Sequence, residues 1–559
     1  MFAEFTRVWA TENRSAIAVY TIVAFFVVSF IYTVQKFISA TTLRVPKGYR
    51  KIDGPKGDLL VGHTFRVPVS NPQRLFKKWA REYGELYQIQ LGLQRWVFLN
   101  SPEAVKSVIE KQSAITSSRP PMITADIVSG YRRLLLMPYG EKWRTLRGIV
   151  HTLLTPKSSD MFQPSQEFEA KQLLNDLYDT REDEYAFYNH VRRYTTSVIL
   201  TSTYGFRTPT WDCDEIKEVY GLMEEFGLVS SPVYSLVDLF PKLLELPKWM
   251  HWWQPNALRY RRRQEAIWFR LWSEMKAKIE HGKAPECFGK QFVEYGYQKK
   301  NIDEMQAAFV AGTMIEAGSE TTSSTLNSLL LYLSVAPDIV SRAQEELVAA
   351  CGNERSPSFD DFDKLPYVRA MSKEILRLRP VASVGSPHYT DADVVYKDFF
   401  IPKGTVVTIN QYAIQTDPRR YKDPEKFDPS RFLDFPLRAR DYVGLADPNA
   451  RDHWSFGGGR RICPGMHLAE NSLFILTAKV LWAFTPRPPL DLNGNELPTD
   501  TSDNAYAPGT TTAPLPYRLR LVPRNDDVVA TFQREWKQAQ KEGYSLGGRK
   551  VNVDGIIFE

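Results

Sequence analysis

The stretch Trp454–Glu470, "WSFGGGRRICPGMHLAE", holds one of only four cysteines in a chain of 559 residues. Glycines and arginines precede Cys463, a proline and a glycine follow it, and a helical pattern starts at once. A cysteine at the opening of a helix meets unpaired backbone N–H groups and the positive end of the helix dipole, and both favour its thiolate. Gly457, Gly458, Gly459 and Gly465 carry no side chains, which lets a flat ligand lie against the backbone. Arg460 and Arg461 add positive charge. The stretch reads as a deprotonated sulfur offered to a planar, anionic partner.

Other chemistries fit this loop less well. A phosphate-binding loop needs Lys-Ser or Lys-Thr after its glycines, and neither follows. Zinc could take Cys463 and His467, but no second ligand pair has metal spacing. A nucleophilic cysteine needs a base; His453 and His467 are close in sequence, but no hydrolase motif surrounds them. A structural cysteine is the default for any lone Cys, yet it leaves the pattern Phe-x-x-Gly-x-Arg-x-Cys-x-Gly unexplained. Phe456, Gly459, Arg461, Cys463 and Gly465 meet that pattern in full. A haem with its propionates satisfies all of these features, with Cys463 as axial ligand to the iron.

The loop resembles the haem-binding signature of the cytochrome P-450 family, and further motifs of that family occur in order from the hinge to residue 524. Trp143-Arg144-Thr145-Leu146-Arg147 matches the Trp-x-x-x-Arg helix, and the resemblance assigns Trp143 and Arg147 to a haem propionate. Glu374-Ile375-Leu376-Arg377 matches the Glu-x-x-Arg pair. Alone it is an i,i+3 ion pair of small worth; the resemblance joins it to Arg431 as a brace behind the cysteine loop. His388, after Pro387, stands where an Arg or His of the family often meets a propionate. The resemblance implies a mainly α fold with small β-sheets (α+β), and haem b as cofactor.

The longest helical pattern, "NIDEMQAAFVAGTMIEAGSETTSSTLNSLLLYLSVAPD", is capped by Asp303 and stopped by Pro337. Its polar insert is costly in a buried helix unless it is functional or hydrated. Seen alone, the insert would be a solvated face. With the cysteine loop downstream, Ala317-Gly318-Ser319-Glu320-Thr321-Thr322 resembles the family's oxygen-binding segment. In that reading Gly318 leaves room above the haem, the Thr321 hydroxyl steadies bound dioxygen and Glu320 relays protons. Family members that isomerise or dehydrate peroxides often lack this acid–alcohol pair. Its presence points to a monooxygenase rather than a reductase-independent isomerase or dehydratase, or a non-catalytic membrane-anchored haem protein.

The pattern elsewhere supports a large body with helices dominant from about residue 140 to 350. Strand-like pieces stand near 86–101 and in "VVYKDFFIPKGTVVTIN", and another closes the body in "APLPYRLRLVPR". A further helix, "LPYVRAMSKEILRLRP", ends at Pro380. The body is expected over 61–524. Residues 525–559 form an extension whose Val529, Phe532 and Trp536 share a helical stripe, followed by a Gly-rich tail expected to be loose.

Ahead of the body, "AIAVYTIVAFFVVSFIYTV" runs without a charge, long enough at about 1.5 Å per residue to cross a bilayer core. We expect a lumenal tail at 1–15, a transmembrane anchor at 16–36 and a Pro/Gly/Lys-rich hinge at 37–60. Lys36, Arg44, Lys47, Arg50, Lys51 and Lys56 follow the uncharged run, so the positive-inside rule puts the body in the cytosol, and the expected membrane is the endoplasmic reticulum. Asn13-Arg14-Ser15 is a glycosylation sequon too close to the membrane to be used.

Net charge is only +6, with no dense basic run, which gives no case for nucleic acid. Cys213, Cys287, Cys351 and Cys463 lie far apart, which excludes a disulfide framework. No stretch of flavodoxin size remains for a fused flavin domain. The resemblance then implies electrons from a membrane-bound NADPH-dependent reductase, with Lys142, Arg144, Arg451 and Arg460 as a candidate basic docking patch. Candidate substrate contacts are Ile123, Ile127 and Val128, then Phe309, Thr313 and Met314 on the long helix. Val384 and Ser386 follow, with Thr510 and Thr511 near the end. Most are apolar, so the expected substrates are dioxygen and a lipophilic small molecule. The Trp-rich segment 227–258 reads as a lid that dips into membrane lipid. The overall pattern, C-terminal extension included, resembles fungal microsomal enzymes of secondary metabolism.

Overall fold

The computed structural model describes residues 44–58, 61–230, 236–509 and 511–557. The expected lumenal tail, anchor and first part of the hinge, together with Thr510, lie outside the described residues. Among those described, no helix is long and apolar enough to cross a membrane.

The helices that frame the site begin with α1 Pro72–Tyr83, α2 Ile123–Val128, α3 Glu141–Leu153, α4 Gln163–Asp179, α5 Ala186–Tyr204 and α6 Asp214–Ser230. They continue with α7 Gln254–Glu280, α8 Glu304–Ser334, α9 Pro366–Leu378, α10 Met466–Ala483 and α11 Asp526–Glu542. Strands β1 Leu86–Leu91, β2 Gln94–Leu99, β3 His388–Tyr389 and β6 Val406–Ile409 form one sheet in the order β1-β2-β6-β3. Between its last two members lies the hairpin of β4 Val394–Tyr396 and β5 Phe399–Ile401. Two further pairs are β7 Phe484–Arg487 with β8 Arg520–Pro523, and β9 Tyr544–Leu546 with β10 Arg549–Val551. This is the mainly α architecture with small sheets that the sequence implies.

Local chemistry sets the ends of α8. The Asp303 carboxylate accepts the Gln306 N–H at 2.7 Å, satisfying one orphan donor of the first turn. Past Ser334 the chain turns, and Pro337 opens a separate helix. The 31 residues of α8 span about 46 Å at the usual rise, enough to cross the body. α5, α7, α9 and α10 pack around it, so most of its side chains are buried. One core cluster joins Leu173, Tyr194, Leu329, Ile375, Phe474 and Trp482 from five helices. A second gathers Trp143, Ile199, Trp268, Trp272, Phe309 and Ile315.

Two glycines let these helices come close. A Cβ on Gly312 would overlap the buried Trp268 ring of α7. A Cβ on Gly318 would lie 2.7 Å from Ile199 Cδ1 of α5. Gly318 therefore serves the α5–α8 contact.

The second half of the expected hinge is packed. Arg50 N donates to Asp398 O at 2.7 Å, Arg50 O accepts from Phe400 N at 3.1 Å, and Ile52 is buried. The helical stripe of the C-terminal extension forms a helix packed on the body, as its pattern implies, while the Gly-rich tail after it is ordered rather than loose. Asn525 caps α11, and Val528, Val529 and Phe532 are buried against the body. Gly547 and Gly548, at φ 59° and 80°, then make the tight turn of the β9–β10 hairpin. Two left-handed residues match the twist of paired strands, and glycine adopts that conformation without strain. Leu546 and Val551 are fully buried, and Arg207 Nη1 donates to Val553 O at 2.6 Å.

The packing predicts opposite outcomes for two Gly→Ala changes. Helix propensity favours alanine by about 1 kcal/mol, while overpacking a rigid core costs about 1–3 kcal/mol. Gly148 in α3 has no atom within 4 Å of a new Cβ, so Gly148→Ala should leave the thermal unfolding midpoint unchanged or raise it. Gly312→Ala should lower it by several degrees.

Candidate active site

Backbone contacts pin Cys463. Its N–H donates to Phe456 O at 2.9 Å, Gly457 N to Trp454 O at 2.8 Å, and Ile462 N to Gly459 O at 3.2 Å. The Arg147 guanidinium donates to Ile462 O. The side chain is partly accessible, and Gly465 immediately precedes α10. Gly459 has φ 61°, and a Cβ there would meet Ile109 O at 2.6 Å. It is bare because of a neighbouring π-helical stretch, Lys106–Lys111. A Cβ at Gly457 or Gly465 would meet nothing within 4 Å, so these two leave open space beside the loop.

The sequence reading expected the helix end to favour a thiolate. In the protein, burial pushes the Cys463 thiol up instead; the Gly465 N–H and Arg147 oppose that without overcoming it. A metal cation bound at the sulfur would favour the thiolate, because coordination deprotonates a thiol outright.

Around the loop lies an excess of positive charge, with Arg119 buried and Arg147 and Arg461 partly exposed. Arg461 donates to Ser117 O at 2.7 Å and Met137 O at 2.6 Å, and its guanidinium stacks on Trp143 at 4.1 Å. Arg119 donates to Leu135 O and Ser386 O, each at 3.0 Å. His388 Nδ1 meets Thr116 O at 2.8 Å. Burial, then Arg119 and Arg147, pull Arg461 down to about 8. Burial and Arg147 pull Arg119 down to about 10. His388 falls to about 3, by burial first and then Arg119, so it is neutral. Among the described residues, the opposing charge on Arg461 is Asp391, and it acts weakest of all. Three guanidiniums that repel one another in a dry site call for an anion.

These residues fit haem. A backbone-pinned cysteine stands beside three cations that are hydrogen-bonded to carbonyls rather than carboxylates and would suit two propionates. Trp143 contributes by stacking on Arg461 and, at 5.5 Å, on Tyr139. Phe456 packs on the His453 ring at 5.3 Å and offers its carbonyl to Cys463.

The brace behind the loop is complete. Glu374 and Arg377, both fully buried, form two hydrogen bonds of 2.7 Å. Arg377 Nη1 reaches Gln415 O at 2.7 Å, while Glu374 accepts Asp428 N at 2.9 Å and lies 3.5 Å from Arg431 Nε. Gln415 Oε1 accepts Trp454 N at 2.5 Å, and Ser455 Oγ donates to Leu376 O at 2.5 Å. The pair is thus one residue removed from the cysteine loop's own backbone.

In the middle of α8, past a partly exposed first turn, Thr313, Ala317, Gly318, Glu320 and Thr321 are partly or fully accessible, and the spacing of Thr313, Ala317, Glu320 and Thr321 puts them on one stripe. Thr321 Oγ1 donates to Ala317 O at 2.6 Å. Burial raises the Glu320 carboxyl, Arg192 opposes this, and the Thr511 hydroxyl donates to Glu320 Oε1 at 3.4 Å. Phe309, Met314 and Val128 of the expected substrate contacts are core residues. Arg451, expected on the docking patch, is buried: it donates to His453 O at 2.9 Å and Gly457 O at 2.6 Å, and stacks on Trp454. Lys142, Arg144 and Arg460 are exposed.

Sequence reasoning missed Arg119, which stands in no motif and reaches the site only through folding.

The chain belongs to the family described as Cytochrome P450, whose model matches residues 53–508; its cofactor is haem b. It is 43% identical over 93% of its length to the cytochrome P450 monooxygenase pgmC of Aspergillus terreus, 95% of which is covered. It is also similar to the cytochrome P450 monooxygenases verL of Clonostachys rogersoniana, 37% identical, and patI of Aspergillus clavatus, 32% identical. Each match covers 88% of this chain, and 90% and 93% of those relatives respectively.

Removing one partner of a buried pair costs about 3–5 kcal/mol. Glu374→Ala should therefore abolish haem retention although Cys463 is intact, as read by the haem-to-protein ratio after purification. Arg431→Ala, at the longer contact, should retain most of the haem.

Proposed function

We propose that this cytochrome P450 monooxygenase oxidises a lipophilic small molecule of fungal secondary metabolism, using dioxygen and electrons from an NADPH-dependent reductase. The observation that carries the proposal is the backbone-pinned Cys463 beside Arg119, Arg147 and Arg461, three guanidiniums whose hydrogen bonds go to backbone carbonyls rather than carboxylates. Haem bound through Cys463 supplies the electron-rich iron at which dioxygen is activated. Arg119, Arg147 and Arg461, with neutral His388 as a hydrogen-bonding group, hold its propionates. Thr321 and Glu320 handle protons on the other side. Thr321 Oγ spends its proton on Ala317 O and keeps lone pairs free, so it accepts and repositions a donor. Glu320, raised by burial, holds a proton closer to neutral pH than an exposed glutamate does. Thr511 and Arg192 connect it away from the stripe.

The relatives at 43% and 37% identity come from fungi, which supports the biosynthetic setting. An exposed apolar surface supports a lipophilic substrate and a membrane location. Trp249 is 84% exposed, and Trp252, Met250, Leu244 and Leu258 are also exposed around it. Tryptophan suits the headgroup boundary of a bilayer. With the uncharged run at 16–34, this favours an endoplasmic reticulum anchor with the body in the cytosol. Lys142, Arg144 and Arg460 favour an acidic reductase face.

The test is the difference spectrum of reduced protein with carbon monoxide. Wild type should give the strongly red-shifted band of a thiolate-ligated haem, and Cys463→Ala should lose it. Product formation should require NADPH and reductase; turnover without them would favour the isomerase or dehydratase alternative.

A further inference from the structure

One buried ion pair lies outside the machinery described so far. Arg133 Nη2 donates to Glu316 Oε1 at 2.9 Å, and Nη1 pairs with Oε2, so the contact is bidentate. Both residues are buried. The same guanidinium donates to Gln264 Oε1 of α7 at 3.2 Å and lies 3.6 Å above the Phe226 ring of α6. Arg133 itself belongs to the loop after α2, whose reversal uses Gly130 and Tyr131 at φ 56° and 59°. One side chain therefore ties that loop to α6, α7 and α8.

The position matters. Glu316 immediately precedes Ala317, the most accessible residue of the α8 stripe. Beyond Arg133 the loop is held by the other side of the site. Leu134 O and Met137 O accept from Arg461 at 3.3 and 2.6 Å, and Leu135 O accepts from Arg119 at 3.0 Å. The loop thus spans from the distal helix to the cations of the cysteine side, with the Arg133–Glu316 pair as its distal attachment. Gln306 Nε2 adds a single neutral bond to Arg132 O at 2.8 Å. A buried charge pair is an expensive way to pack helices, since apolar residues of similar volume do as well. What the pair adds is a fixed geometry, two parallel N–H···O bonds that hold one loop position against one turn of α8.

Resting on the reading of the stripe as the wall of the haem's distal pocket, we infer that the Arg133–Glu316 pair is a specificity-determining clasp. It holds the loop after α2 against α8 beside Ala317 and limits the bulk of molecules that reach the iron. Both are positioning residues; neither is assigned contact with the reacting atoms. Releasing the pair frees the loop on the distal side only, because Arg119 and Arg461 still hold residues 134–137. Haem retention is then preserved while bulky ligands gain entry.

The experiment uses the full-length haem protein and two azoles that bind ferric iron, imidazole and the much bulkier clotrimazole, titrated by the shift of the main absorption band. The variants are Arg133→Leu/Glu316→Leu, which replaces both charges with apolar groups, and Glu316→Gln, which keeps the side chain's shape. In both, clotrimazole should bind roughly tenfold more tightly relative to imidazole, whose own affinity stays within about twofold. Carbon monoxide rebinding after flash photolysis should accelerate in parallel. Glu316→Gln gives the same comparison if the double variant does not hold haem. Affinities that do not change, or that shift together for the two azoles, would overturn the clasp. A wild type without the red-shifted carbon monoxide band would instead overturn the reading of the site on which the clasp rests.

Discussion

A cysteine sulfur fixed by backbone hydrogen bonds, in a dry site with more guanidiniums than carboxylates, is the constraint around which this molecule is arranged. By itself the site is unfavourable. Burial pushes the Cys463 thiol up, and Arg119, Arg147 and Arg461 repel one another. A dianionic macrocycle with a cationic metal resolves both problems together: the metal stabilises the thiolate, and the propionates neutralise the arginines. Holding the cofactor and holding the fold locally are then one and the same task.

The rest of the body keeps that arrangement from relaxing. Glu374 and Arg377 sit at zero exposure and reach the cysteine loop through Gln415 and Ser455. Such a pair is weak evidence for stability in itself. Its effect is to fix where the loop's carbonyls and amides point. On the other face, α8 past its first turn is accessible at Thr313, Ala317, Gly318, Glu320 and Thr321. Its glycines are spent on helix contacts, Gly312 against Trp268 and Gly318 against Ile199. The stripe is left to residues that can carry a proton or shape a cavity.

Much of this was legible because short-range chemistry decides it. Asp303 and Pro337 mark the ends of α8 whatever surrounds it. The Glu374/Arg377 spacing and the residues flanking Cys463 form fixed patterns. What escaped reading depends on partners distant in sequence. Arg119 lies in no pattern, and only folding sets it beside Arg461. Arg451 looks like a surface charge until His453, Gly457 and Trp454 fold around it. Gly318 could face either a ligand or a neighbouring helix, and only the packing of α5 decides. The Gly547-Gly548 pair read as looseness, yet two left-handed residues between short apolar runs are what a tight hairpin needs.

Iron K-edge absorption on the full-length protein as isolated tests the bond at the centre of this account most directly. One sulfur, together with the porphyrin nitrogens, is the predicted first coordination shell, and the sulfur should vanish in Cys463→Ala. A shell of nitrogen and oxygen alone in wild type, or a sulfur that survives the substitution, would mean that position 463 does not hold the metal.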